Sequence, residues 1–254
     1  MSAVSRPAHS VVRAFEPAPA ETFELPRHHY LVSVSRGALR LERDGTVWSL
    51  PPARAALVAA GQAIEVTVPQ AVVTSSVLVE AGFAPPPDAS LSVFDLTPLA
   101  RALLQECGRW EESDEPLGDY ALALFRALVE VTWELARHPS PARMPSGRSP
   151  EVRRALSITG LQLAADPRMD RIAAEIGLAP RSLARRFEDE LGMTWRSALR
   201  RMRVLRAIEL LAGSEASVTE ISLAVGYGSL SAFQAAFRDL VGQTPTEYRA
   251  GFRP

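Results

Sequence analysis

Two arginines in the C-terminal third, Arg181 and Arg185, stand four residues apart beside apolar residues that also repeat every fourth position, Leu183, Phe187 and Leu191. This repeat predicts a helix with one buried face and with both guanidinium groups on the outward side. A forked guanidinium can donate two parallel hydrogen bonds, either to O6 and N7 of guanine or to a phosphate. The spacing therefore favours contact with a nucleic acid, and the alternative is an ordinary solvated helix face.

Residues that could hold a metal or carry out catalysis are few. His28 and His29 are adjacent, and adjacent strand residues point to opposite faces, so both cannot easily ligate one ion. His9 falls in an alanine- and proline-rich N-terminal segment and His138 in a proline-rich linker. The single cysteine, Cys107, excludes an intrachain disulfide and a thiolate zinc cluster. We therefore expect no metal, no cofactor and no catalytic residue.

The helix that carries Arg181 belongs to a unit that occurs twice. Its apolar and glycine positions Ile172, Ile176, Gly177, Leu183, Phe187, Gly192 and Thr194 recur as Ile221, Val225, Gly226, Phe233, Phe237, Gly242 and Thr244. Each copy predicts a helix, a tight turn at a glycine and a second helix. One copy alone could be a structural helical hairpin, whereas two copies joined by an arginine-rich helix favour a pair of helix-turn-helix units.

The residues of this repeat resemble the DNA-binding domain of the AraC/XylS family of bacterial transcription regulators. The first unit carries the resemblance in IAAEIGL and SLARRFEDELGMT, and the second in VGYGSLSAFQAAFRDLVGQTPTEYR. The resemblance implies an all-α domain of two helix-turn-helix units over residues 151–254. It also implies that the second helix of each unit reads DNA in the major groove.

Residue by residue, the resemblance places base-reading side chains at Arg181, Ser182, Ala184 and Arg185 in the first unit and at Leu230, Ser231, Gln234 and Ala235 in the second. Phosphate contacts are expected from Arg186, Arg196, Arg200, Arg203 and Arg238. The helical spacing of Arg196, Arg200 and Arg203 leaves a solvated face as the alternative. The difference between the two sets predicts a sharply specified, guanine-containing block under the first unit and a degenerate block under the second.

The N-terminal half has a different pattern. Residues 1–22 are rich in alanine, proline and serine and predict a flexible arm. From Tyr30 to Val79, short alternating apolar runs are divided by turns, which predicts a small β-sandwich or barrel over residues 23–96. The family resemblance implies a cupin-like barrel that binds an effector, with unknown effector-binding residues. The predicted fold class is thus α+β, a cupin-like β-barrel with a helical hairpin followed by the all-α domain.

Two helices are predicted over residues 97–137. Thr97 and Pro98 provide an N-cap and a first-turn proline, and a longer helix covers residues 119–137. The longer helix carries two apolar stripes where a surface helix needs one. We expect the stripe of Leu124, Leu128, Val131 and Leu135 to form a dimer contact; the alternative is a core contact between domains. Residues 138–150 predict a linker.

Composition limits the classes of function. All 28 basic residues are arginine. Residues 1–150 carry 13 arginines and 17 acidic residues, a net charge of −4, whereas residues 151–254 carry 15 and 12, a net charge of +3. A DNA-compacting protein would be more basic, and a methyl-transferring DNA-repair protein would need several cysteines. No apolar run reaches the length of a membrane span and no signal peptide is present, so we expect a cytoplasmic protein without membrane contact.

Together these patterns predict a dimeric, sequence-specific activator or repressor that binds double-stranded promoter DNA. Further candidate partners are RNA polymerase and a small-molecule effector. Two alternatives stay open: a metal-dependent cupin enzyme fused to a helix-turn-helix domain, and a regulator whose barrel only dimerises and binds no small molecule.

Overall fold

A computed structural model describes residues 6–52, 54–69, 71–113, 115–140 and 143–250. The chain divides into two compact units. The first contains most of the chain up to Ser140, and the second begins at Pro141 and also includes the short segment Asp44–Trp48. None of the described helices is both long enough and apolar enough to cross a membrane.

The described residues of the N-terminal half form nine strands in two sheets. The strands are β1 (Ala8–Phe15), β2 (Ala18–Phe23), β3 (His28–Arg36), β4 (Leu39–Arg43), β5 (Thr46–Leu50), β6 (Arg54–Val58), β7 (Ile64–Val68), β8 (Val72–Glu80) and β9 (Leu91–Asp95). One sheet has the order β1-β8-β3-β6-β9, and the other has the order β2-β7-β4-β5. The described ladders are antiparallel, which confirms the sheet-rich N-terminal domain predicted from the alternating runs.

A pair of helices completes the core of this first unit. Helix α1 (Pro98–Cys107) begins at Thr97, whose hydroxyl accepts a hydrogen bond from the Ala100 amide, and helix α2 spans Asp119–Arg137. Both helices have the predicted bounds. The start of α1 is fixed by the capping threonine and by the proline that follows it. Their buried side chains join those of the sheet in one apolar cluster that includes Leu31, Leu57, Phe94, Leu104, Phe125 and Leu128.

The predicted flexible arm is wrong for residues 8–22. Strand β1 pairs with β8 along its whole length, from Ala8 opposite Val79 to Phe15 opposite Val72. The hydroxyl of Ser10 donates to the Cys107 carbonyl at 2.7 Å, which fixes the buried end of β1. Beyond Ser10 the strand has no buried side, so it lacks the polar–apolar alternation that reveals a strand in a sequence. Residues 1–5 of the predicted arm lie outside the described residues.

The second unit is helical. Its helices are α3 (Pro150–Leu161), α4 (Met169–Glu175), α5 (Pro180–Leu191), α6 (Trp195–Gly213), α7 (Val218–Ala224), α8 (Leu230–Val241) and α9 (Pro245–Ala250). Helices α4 and α5 form the first helix-turn-helix unit, α7 and α8 form the second, and α6 joins them. Gly177 and Gly226 make the two turns with φ of +75° and +89°, values that favour glycine. The predicted α+β architecture with a C-terminal helical domain is confirmed.

Candidate nucleic-acid interface

The first recognition helix, α5, separates an apolar side from a cationic side. Leu183 and Phe187 are fully buried, whereas Arg181 and Arg185 are exposed. Within the described residues, neither arginine makes an ion pair or a hydrogen bond, so both guanidinium groups can bind a ligand. Pro180 occupies the first turn of the helix, where its missing N–H costs nothing. Ser182 and Ala184 are half-buried beside the two arginines.

The second recognition helix, α8, has the same arrangement with different chemistry. The hydroxyl of Ser229 caps its N-terminus by accepting from the Ala232 amide at 3.3 Å. Phe233 and Phe237 are fully buried in positions equivalent to Leu183 and Phe187. The predicted base-reading residues of this helix are exposed or half-buried: Leu230, Ser231, Gln234 and Ala235. This face therefore offers one amide, one hydroxyl and two apolar side chains.

The arginines predicted to contact phosphate differ in their surroundings. Arg196 and Arg238 are exposed. Arg200 forms an ion pair with Asp239 at 2.9 Å, and its side chain is half exposed. Arg186 faces α3, where its Nη1 lies 3.5 Å from a carboxylate oxygen of Glu151. Ion pairs this exposed contribute little to stability, so both arginines can exchange their partner for a phosphate.

Arg203 is placed differently from the other four arginines. Its Nε donates to the Leu163 carbonyl at 3.0 Å, and its guanidinium carbon lies 5.7 Å from the centre of the Tyr227 ring. The side chain is thus half-buried between these two segments, and it also lines an open groove beside α6. The phosphate contact of Arg203 stays a prediction, because the spacing of the stripe does not show which part of α6 neighbouring segments cover.

An open groove of about 850 Å³ lies beside the first recognition helix and α6. Ala184 of α5 lines it, and so do Arg196, Arg200 and Arg203 of α6. Arg168, which the sequence analysis did not select, also lines the groove and forms an ion pair with Asp170 at 3.3 Å. Arg168 lies outside both the repeated positions and the arginine stripe of α6. Its position just before α4 is therefore the only sequence signal that could have predicted its place in this groove.

The stripe predicted to form a dimer contact is divided between two environments. Leu128 is fully buried in the core of the first unit. Leu124, Val131 and Leu135 are half-buried and pack against the edge of that core. Leu128 therefore packs inside the first unit. The three half-buried side chains leave some apolar surface exposed, which is available for a further contact.

Three of the four histidines lie near one end of the larger sheet. His29 is fully buried on β3 and accepts a hydrogen bond from the Ala60 amide at its Nδ1. Its ring is nearly perpendicular to the Trp133 ring, and the two ring centres lie 5.8 Å apart. His9 belongs to β1 and not to a flexible arm, and its ring lies 5.9 Å from that of His28. Burial lowers the pKa of both His29 and His9. In the described part of the chain, no three histidine, cysteine or acidic side chains are arranged to hold a metal.

A family model and two relatives are similar to part of this chain. Residues 172–251 match the family model described as a helix-turn-helix domain. The chain is 34% identical over 82 residues to the HTH-type transcriptional activator RhaS of Escherichia coli strain SE11, and 32% identical over 82 residues to the xylose operon regulatory protein of E. coli K12. These matches cover 32% of this chain but only 30% and 21% of the two relatives.

A solved structure from Chromobacterium violaceum, described as a transcriptional regulator with an AraC-type DNA-binding domain, is 31% identical to this chain. It covers 40% of this chain and 90% of its own length, with a TM-score of 0.39.

Proposed function

We propose that this chain, whose residues 172–251 form a helix-turn-helix domain of the AraC/XylS type, is a sequence-specific transcription regulator. One observation carries the proposal: two helix-turn-helix units, each with an exposed recognition helix, are joined through one continuous helix, α6. Two such helices fit successive major grooves, which are roughly 34 Å apart on one side of B-DNA.

The two recognition helices divide the recognition of bases between them. Arg181 and Arg185 each offer a fork of donors suited to guanine, and Ser182 and Ala184 lie between them. The second helix presents Leu230, Ser231, Gln234 and Ala235. Gln234 can pair with adenine, and the apolar side chains can contact a thymine methyl. The proposed half-site therefore has a guanine-containing block under α5 and a more degenerate block under α8.

Phosphate contacts support this reading without adding base preference. Arg196 and Arg238 are exposed, and Arg186 and Arg200 hold only partly exposed ion pairs. Phosphate contacts fix the register of a protein on the duplex but carry no direct sequence information. We assign these four arginines to the DNA backbone, together with Arg168, which lines the groove with Arg196 and Arg200.

The N-terminal unit is assigned a regulatory role. Its two sheets and helix pair form a separate core, and the half-buried Leu124, Val131 and Leu135 supply an apolar surface for a second copy of the chain. In this proposal the unit dimerises the protein and responds to a small-molecule effector, so that a pair of half-sites in a promoter is recognised. RNA polymerase is the further partner that activation of transcription would require.

Selection of bound DNA from a random pool by the full-length protein tests the function. We expect enrichment of a motif with two blocks about one helical turn apart. A variant with Arg181→Ala and Arg185→Ala serves as the matched control and should lose the guanine-rich block. If the wild-type protein enriches no motif while it remains folded, the proposed function is wrong.

A further inference from the structure

Arg203 contacts two segments of the helical unit, the one between α3 and α4 and the turn between α7 and α8. We propose that Arg203 is a positioning residue, which fixes the distance between the two recognition helices and thereby the spacing of the DNA blocks that the protein accepts. This inference rests on the proposed function, because only a DNA-bound protein has a spacing preference. It assigns to Arg203 a role other than the phosphate contact predicted from its position in the stripe.

The first contact is with the segment that precedes the first helix-turn-helix unit. The Nε of Arg203 donates to the carbonyl of Leu163, which lies between α3 and α4. The side chain of Leu163 packs against the apolar cluster that holds Leu183 and Phe187 of α5. The hydrogen bond therefore ties Arg203 to the same core on which the first recognition helix rests.

The second contact is with the second helix-turn-helix unit. The guanidinium of Arg203 lies over the ring of Tyr227, a favourable arrangement for a cation and an aromatic face. The Tyr227 ring lies 5.4 Å from that of Phe233, and the Phe233 ring lies 5.8 Å from that of Phe237. Through this row of rings, Arg203 is tied to the core on which the second recognition helix rests.

The third contact explains why glycine stands at position 226. A Cβ atom there would collide with the Leu163 carbonyl oxygen and would lie 2.7 Å from Nη2 of Arg203. Gly226 thus lets the turn of the second unit approach both Arg203 and the segment that precedes the first unit. The equivalent glycine of the first unit, Gly177, also has a positive φ, but among the described residues no heavy atom beyond its chain neighbours lies within 4 Å of its Cβ position.

These contacts form a joint, defined here as Leu163, Arg203, Gly226 and Tyr227. Helix α6 connects the two units along the chain, and the joint connects them a second time through side chains. Two connections at different points restrict the rotation and bending of one helix-turn-helix unit relative to the other, which a single connection would allow. Loss of the joint should leave each unit folded and able to read its own block, while the distance between the blocks becomes less restricted.

The test measures binding of the full-length protein to DNA duplexes that carry both selected blocks at different spacings. The wild-type protein should prefer one spacing. Arg203→Ala should bind that duplex on the order of tenfold more weakly, as expected for the loss of a hydrogen bond and a cation–π contact, and should bind the neighbouring spacings nearly as well. Gly226→Ala should flatten the spacing preference in the same way, because its Cβ would push the joint apart.

Two control variants separate positioning from general damage. Arg206→Ala removes an arginine from the same helix whose ion pair is local, with Glu209 at 2.7 Å. Gly177→Ala introduces the same backbone strain as Gly226→Ala without the close contacts. Both controls should keep the wild-type spacing preference, and circular dichroism should show that every variant is folded. If Arg203→Ala does not fold, Arg203→Lys, which retains a donor but not the planar fork, replaces it.

Salt dependence distinguishes a positioning residue from a phosphate contact. Loss of one phosphate contact should lower the slope of log affinity against log salt by about 1, whereas loss of a positioning residue should leave this slope unchanged. A lower slope with an intact spacing preference in Arg203→Ala would overturn the inference and restore the phosphate contact. An unchanged spacing preference in folded Arg203→Ala and Gly226→Ala would also overturn it. Neither outcome affects the proposed function, which fails only if the wild-type protein selects no motif.

Discussion

Equivalent residues of the two recognition helices differ in their ability to discriminate bases. Arg181 and Arg185 in α5 correspond in the repeat to Ser231 and Ala235 in α8. All four side chains are exposed, so the difference lies in their chemistry and not in their access to DNA. A guanidinium fork selects guanine, whereas a serine hydroxyl accepts several bases and an alanine methyl has no hydrogen-bonding group.

Arg185→Ala should therefore relax the base preference within the first block. The expected loss of discrimination is about 1–3 kcal/mol at one base pair, the contribution of one bidentate arginine–guanine contact. Gln234→Ala is the comparison variant and should change selectivity less. Competition binding with duplexes that carry each base in turn measures both effects. A selected motif with its strongest preferences under α8 would show that Arg181 and Arg185 are not the main base readers.

His29 makes the stability of the first unit depend on pH. Burial lowers its pKa, and its Nδ1 accepts the Ala60 amide hydrogen, which requires the unprotonated nitrogen. Below the ordinary histidine pKa of about 6.5, the unfolded chain binds a proton that the folded chain resists, so stability falls as the pH falls through this range. His9, whose pKa is also lowered by burial, acts in the same direction. Above this range, both histidines are neutral in both states and the effect is absent.

Urea denaturation followed by tryptophan fluorescence tests this dependence, because the Trp133 ring contacts His29. The midpoint of the first unit should be lower at about pH 5.5 than at about pH 7.5. His29→Gln should reduce the difference, since glutamine can accept from the Ala60 amide but does not titrate. His138→Gln, at an exposed position, serves as the control and should behave like the wild type. Equal pH dependence in His29→Gln and the wild type would contradict a role for His29.

At the scale of helices and strands, local signals predicted most of the architecture. The start of α1 is marked by Thr97 and Pro98, and the start of α5 by Pro180. The repeated glycines mark both helix-turn-helix turns. Strand β1 was missed because pairing with β8, rather than a buried side, stabilises most of its length. Such pairing depends on residues distant in the sequence and leaves no local pattern.

The assignment of Arg203 shows a second limit of sequence patterns. Helical spacing places Arg196, Arg200 and Arg203 along one side of α6. The spacing does not show where neighbouring segments cover that side. Arg196 remains exposed, whereas Arg203 is half-buried with its guanidinium against the Gly226–Tyr227 turn of the second unit. A residue near the crossing point of two units can therefore be half-buried within two helical turns of an exposed one.

Helix α2 supplies the surface for a dimer test. Val131→Glu places a charge among the half-buried side chains of the stripe and should give folded monomers, because a charge is costly to bury in an apolar contact. Analytical ultracentrifugation measures the assembly, and circular dichroism measures the fold. Glu130→Arg, a charge change at an adjacent exposed position, is the control and should leave the dimer intact. A dimer that survives Val131→Glu, or a variant that simply unfolds, would assign Val131 to the interior of one subunit.

For the molecule as a whole, the N-terminal and C-terminal parts differ in net charge, and each has its own apolar core. The N-terminal 150 residues have a net charge of −4, and residues 151–254 have a net charge of +3. The helical unit also has its own apolar cluster, formed around Val152, Ile172, Leu183 and Phe187. A basic unit with its own core has what it needs to bind DNA without the acidic unit, although it would lose any affinity gained from dimerisation.

The fragment from about Ser149 to Pro254 should therefore fold and bind a single half-site. Its affinity should fall steeply with rising salt, because each phosphate contact releases counterions and contributes about −0.9 to the slope of log affinity against log salt. Arg196→Ala should make the slope less steep by about one contact, since Arg196 is exposed beside the groove. Arg154→Ala, an exposed arginine on α3 outside that groove, is the matched control and should leave the slope unchanged. Fluorescence anisotropy at several salt concentrations measures all three proteins. An affinity that stays flat between low and moderate salt would contradict phosphate contact by this unit, because no arrangement of exposed arginines against a DNA backbone avoids counterion release.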